Sequence, residues 1–185
     1  MEIATRGFAL RHAVLSKRRL TSLLQECKAQ GFDRARIGSC DLLSRLPGLR
    51  RRLRSSSSVR DLVEPVLGAT AFPVRGRYFD KSPQANWAVL WHQDLTTAVK
   101  RKVPVPGYGP WSKKAGIDHV QPPAAVLEEM LALRFHLDPA SSEAAASDVL
   151  VMRPRRRGVI NVEFAANPLA PPLEWYEPTA SEARS

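Results

Sequence analysis

The chain has 185 residues, 44% of them apolar, with 15 Pro and 10 Gly, which is the length and make-up of one globular domain. No window approaches the roughly 18 uncharged apolar residues that a membrane span requires, and the first residues are too charged for a signal-peptide core. Both features predict a soluble, cytoplasmic protein without a membrane partner. Cys27 and Cys40 are too few for a disulfide framework and match no paired-thiol zinc or redox spacing. The formal charge of +10 lies wholly in residues 1–60, where 14 Lys and Arg face four acids; the remainder holds 14 of each sign.

The first third reads as helical. Residues 14–29 carry Leu15, Leu20, Leu23, Leu24 and Cys27 at helical spacing, with Ser16 as cap and Gly31 as terminator. A second helix is expected from Asp41. It ends in the basic run Leu49, Arg50, Arg51, Arg52, Leu53, Arg54, which reads as a solvated helix end leading into a serine linker at 55–58. That run could also meet phosphates, although no interleaved aromatic supports base stacking, so a nucleic-acid partner is not expected. A third helix is expected from Ser58, its hydroxyl capping near Asp61, to Gly68, with Pro65 bending or shortening it.

From Ala69 the pattern changes to period two. Strands are expected at 71–79, 87–91, 97–103, 131–137, 149–152 and 159–164. The clearest is 131–137, where Leu131, Leu133, Phe135 and Leu137 alternate with Ala132, Arg134 and His136. The Pro- and Gly-rich stretch 103–111 reads as a long loop or lid, and His119, beside Gln121, Pro122 and Pro123, falls in the same lid region, as a candidate contact for substrate or cosubstrate rather than a metal ligand. Helices followed by an antiparallel sheet give an α+β fold, with residues 1–68 as its basic helical part and 69–178 as its β part, in a single domain over 1–185.

One local pattern has specific chemical meaning. Trp91, His92, Gln93 and Asp94 end a predicted strand as a His-x-Asp, and side chains at i and i+2 leave a strand on the same face. An imidazole and a carboxylate so placed supply two corners of the facial triad that suits non-haem Fe(II). The context is extended: VEPVLG at 63–68, AFPVRG at 71–76, FDKSP at 79–83, ANW at 85–87 and WHQDL at 91–95 lead into the motif. VPGYGPW at 105–111, KAG at 114–116, HVQPP at 119–123, LRFHLD at 133–138, VLVMRP at 149–154, VINVEFAA at 159–166 and PPLEW at 171–175 follow it. In this order they resemble the phytanoyl-CoA dioxygenase family of Fe(II)- and 2-oxoglutarate-dependent oxygenases over roughly two-thirds of the chain.

The resemblance implies a double-stranded β-helix of the jelly-roll or cupin kind, with His92 and Asp94 as metal ligands. It also implies 2-oxoglutarate as cosubstrate, dioxygen, and a small organic substrate that is hydroxylated. The family grips the 2-oxoglutarate carboxylate with an arginine on its last core strand; Arg157 is the best positional match and Arg156 the second.

The chain departs from the pattern in two places. After Asp138 the family's next segments are missing, and after Pro154 the chain runs straight into Arg155, Arg156 and Arg157 where the family carries the distal metal-binding histidine. His12, His119 and His136 are the remaining histidines, and none lies on the expected strand. The implied barrel is therefore incomplete, with exposed edges that favour self-association. Three functional readings stand: a dioxygenase-like protein whose activity is in doubt, an inactive deleted paralogue that is an interaction protein or functionless, and a basic nucleic-acid-binding module.

Overall fold

The computed structural model describes residues 2–29, 42–81, 94–137 and 157–176. The expected strands at 87–91 and 149–152, His92 and Arg156 lie outside the described residues. The described part is α+β: helices precede two small antiparallel sheets. Among the described residues no helix is long and apolar enough to cross a membrane.

After a short α1 (Glu2–Arg6), α2 (Lys17–Ala29) begins next to Ser16, whose carbonyl accepts from the Leu20 amide at 3.0 Å. The single helix expected from Asp41 is broken into α3 (Leu42–Arg45) and α4 (Pro47–Ser55), because Pro47 lacks an amide hydrogen and opens a new first turn. The serine linker is not found. Only Ser56 separates α4 from α5 (Ser57–Leu67), and it supplies the N-cap position without a side-chain capping bond, in place of the expected Ser58. Pro65 does not stop α5, which runs on to Leu67 and ends at Gly68 with φ 84°, a left-handed conformation that favours glycine.

The first sheet has the order β1 (Phe72–Lys81), β6 (Arg157–Ala165), β5 (Met130–His136), all antiparallel. Its two faces have different partners. Ile160, Val162 and Phe164 of the central strand, with Tyr78, pack under Leu23, Leu42, Leu43, Leu49, Leu53, Val59 and Val63 of the helices, and Leu131, Leu133 and Phe135 close the same core. Leu49 and Leu53 are buried, so the basic run is the outer side of an amphipathic helix rather than a solvated end. Gly76 faces this seam; a Cβ there would come within 2.9 Å of Leu43 Cγ and 3.2 Å of Leu42 Cβ.

The opposite face meets the second sheet, β2 (Thr97–Val99), β4 (Ile117–Val120), β3 (Trp111–Lys114), with β4 central. Val74 and Ala165 pack there with Val99, Val120, Leu169, Leu173 and Trp175. Strands β3 and β4 form a tight hairpin through Ala115 (φ 51°) and Gly116 (φ 81°), the two positive φ values that a type I′ turn demands. This corrects the sequence reading of His119 as part of a lid: it sits in the middle strand of a sheet. A five-residue helix, α6 (Ala124–Glu128), then leads into β5, and the segment after β6 returns along β2, where the Tyr176 amide donates to the Ala98 carbonyl.

Strand β1 carries a bulge. Phe72 and Pro73 pair with Ala165 and Phe164, and Arg75 pairs with Glu163, leaving Val74 as an extra residue. Val74 and Arg75 consequently lie on the same side of the sheet.

Candidate active site

Beyond the bulge the two-residue period places Arg75 and Arg77 of β1 beside Asn161 and Glu163 of β6, on the face turned to the second sheet. Three of these side chains are buried, Arg75 at 5% exposed, Asn161 at 4% and Glu163 at 7%, and Arg77 is partly buried. Buried charges persist only when paired, and here they form a chain of alternating sign. Arg75 Nη1 lies 3.6 Å from Glu163 Oε1, and Arg77 Nη2 donates to the same Oε1 at 3.1 Å. Arg77 Nη2 also donates to Asp94 Oδ2 at 3.0 Å. Asp94, three residues before β2 and half-exposed, is thereby tied to the interior of the first sheet. Burial pushes the Glu163 carboxyl above the ordinary carboxylate range, the nearby Asp94 charge adds to this, and Arg75 and Arg77 pull against it.

His119 is fully buried. Its Nδ1 lies 2.9 Å from the Ile117 carbonyl oxygen, so the neutral ring donates from Nδ1 and keeps a lone pair on Nε2. That Nε2 has no hydrogen-bond partner among the described residues. Burial lowers the imidazole pKa to about 4; the hydrogen bond to Ile117 opposes the shift, and the positive charges of Arg75, Lys114 and Arg77 reinforce it. The ring is uncharged at neutral pH.

Of the residues expected at a metal centre, Asp94 is described and His92 is not. Arg157 begins β6 opposite Lys81, six positions from Glu163, which is about 20 Å along a strand. Arg156 lies outside the described residues, as does any contact of His92. His136 ends β5 and is exposed, and His12 is exposed in the segment between α1 and α2. No group of three His, Cys, Asp or Glu side chains converges among the described residues. The one expected ligand that is described carries a guanidinium on its carboxylate, so the described donors do not fit a bound dication.

Arg75, Arg77 and Glu163 were not expected as site residues. A local signal for them existed: two arginines at alternate positions of an apolar strand, and one glutamate inside another, mark charges facing inward together. No protein-family model, curated protein or solved structure matches the chain. The fold alone does not assign a function, and the site must carry the argument.

Proposed function

We propose that the chain is an Fe(II)- and 2-oxoglutarate-dependent dioxygenase-like protein of the phytanoyl-CoA dioxygenase family, cytoplasmic, with a jelly-roll barrel that is incomplete. Its family reaction is hydroxylation of a small organic substrate with dioxygen and 2-oxoglutarate, and this chain has little or no such turnover. Two things support the reading. The ordered motifs run from 63 to 175 around His92 and Asp94. That order of motifs is the observation that carries the reading, and two small antiparallel sheets packed around Val74 and Ala165 are compatible with it. Loss of turnover follows from the departures noted above: the distal histidine is missing, and Arg77 already holds the carboxylate.

Anaerobic addition of Fe(II) and 2-oxoglutarate tests it. We expect a faint or absent metal-to-ligand charge-transfer band and, in air, succinate formation no greater than that of a His92→Ala control. Succinate above that control would overturn the loss of turnover.

A second surface bears on the nucleic-acid reading. Arg50, Arg51, Arg54 and Ser55 line an open depression on α4, whereas Arg52 is turned to α2, where its Nη1 donates to Glu26 Oε1 at 2.8 Å and holds that carboxyl below its usual range. The depression offers positive charge with no aromatic side chain on which a base could stack. By fluorescence anisotropy, DNA binding is expected to be weak, indifferent to sequence and lost steeply between about 50 and 200 mM salt. Sequence-selective binding that survives physiological salt would favour the nucleic-acid module instead.

A further inference from the structure

We propose that the Arg77 guanidinium takes the place of a divalent cation between Asp94 and Glu163, and that it thereby withholds Asp94 from metal ligation. The proposal rests on the reading of Asp94 as a ligand position.

The geometry is that of two carboxylates gathered on one cation. A single nitrogen, Arg77 Nη2, is 3.0 Å from Asp94 Oδ2 and 3.1 Å from Glu163 Oε1, which puts those two oxygens within roughly 6 Å of each other. They feel one another: the Asp94 charge helps to push the Glu163 carboxyl up. Two anions so close, one of them buried, need positive charge between them. A metal site meets that need with an ion that must be acquired. Here it is met by a guanidinium that is part of the chain and cannot dissociate from it. Arg75, at 3.6 Å, assists from the buried side only.

An arginine touching a ligand carboxylate can act in either of two senses. As a positioning group it would fix the rotamer of Asp94 and raise metal affinity, as neutral outer-shell donors do. As a cation it opposes any dication that shares the carboxylate. Repulsion between a fixed single charge and a double charge a few ångströms apart, in a partly buried setting, exceeds what the fixing of one rotamer returns. The sign predicted is therefore inhibition of metal binding.

Mn(II) alone, followed by the paramagnetic resonance of the free ion, is the probe, with thermal melts of the full chain as a second readout. Arg77→Gln is expected to bind Mn(II) about tenfold or more tightly than the unmodified chain, because the repulsion between guanidinium and dication is gone. It should also gain melting temperature when Mn(II) is added, which the unmodified chain should not. Arg77→Lys keeps the charge and should show neither gain. If Arg77→Gln folds poorly, Arg77→Met, which keeps the length of the side chain without its charge and leaves Glu163 paired with Arg75, should show the same gain through Asp94. Asp94→Asn in either background should abolish it. Equal or weaker Mn(II) binding by the Arg77→Gln and Arg77→Met chains, while Asp94→Asn still lowers the affinity of the unmodified chain, would overturn the proposal and make Arg77 a positioning residue. Mn(II) binding that ignores Asp94→Asn and His92→Ala in every background would instead overturn the ligand reading of Asp94, and the proposal with it.

Discussion

Replacing Gly76 with valine should destabilise the protein by about 3 kcal/mol, the upper part of the range for an overpacked core. The position has no room. Its missing Cβ would meet Leu43 Cγ at 2.9 Å, Leu43 Cδ2 at 3.1 Å and Leu42 Cβ at 3.2 Å. The Leu42 atom is fixed to a backbone, and neither leucine can swing out, since both are buried under the sheet. Alanine at the same position should cost less, because its single methyl is opposed in part by the lower freedom of the unfolded chain. For a chain of this size the valine variant should melt about 6–12 °C lower. Trimming the neighbour with Leu43→Ala in the same chain should recover part of the loss, and such a non-additive pair would place the strain at the seam between α3 and β1. Independent, additive effects would show that β1 and α3 do not meet there.

The second large effect is a pH dependence centred on His119. Its folded pKa, about 4, lies below the ordinary 6.5, so between these values the unfolded chain takes up a proton that the folded chain refuses. Stability from this group is complete above pH 6.5 and is lost as pH falls towards 4. The full difference corresponds to about 3 kcal/mol. Glu163 runs the other way, because its raised carboxyl binds a proton more readily when folded, and it softens the acid limb. The comparison with His119→Asn, whose amide can still donate to the Ile117 carbonyl, removes the Glu163 contribution by subtraction. Urea unfolding at pH 7 and at pH 4 should show a loss larger by about 3 kcal/mol in the unmodified chain than in the variant. Equal losses would mean that His119 is not buried in its neutral form.

The sequence was most readable where one pattern served one element. Gly68 ends α5 within a residue of the expected boundary because only a glycine stop is compatible with φ 84° there. The alternation of Leu131, Leu133 and Phe135 gave β5 to within a residue, since every second side chain enters the helix-covered core. Reading failed where two demands overlapped. In α4 the arginines outnumber the leucines and hide the fact that Leu49 and Leu53 form a buried stripe. In β3 and β4 the adjacent Lys113 and Lys114, and Asp118 beside His119, break up any apolar alternation, and the preceding Pro and Gly residues suggested that the loop continued; the pair Ala115 and Gly116 was the overlooked turn signal. The expected strand at 97–103 shrinks to Thr97–Val99, because the chain leaves the ladder at Lys100. Of the residues gathered there, Asp94 alone was expected from the sequence, as a metal ligand. Arg75 and Arg77 on one apolar strand and Glu163 inside another each mark an inward-facing charge, but Arg77 and Glu163 are 86 positions apart and the pattern within each strand does not say which strand is the partner.

The extra residue in β1 has a consequence for which changes of length the strand tolerates. Counting by twos from Phe72 assigns every side chain after Val74 to the wrong surface, and the bulge resets the count. Removing Val74 would leave Phe72, Pro73 and Arg75 opposite Ala165, Phe164 and Glu163 as they are now, with a straight ladder and an unchanged orientation downstream. Removing any one residue between Gly76 and Phe79 would turn over all that follows it. The bulge is thus the place in this stretch where the chain can shorten without losing its spatial reading frame. A deletion elsewhere in β1 is, in three dimensions, a frameshift.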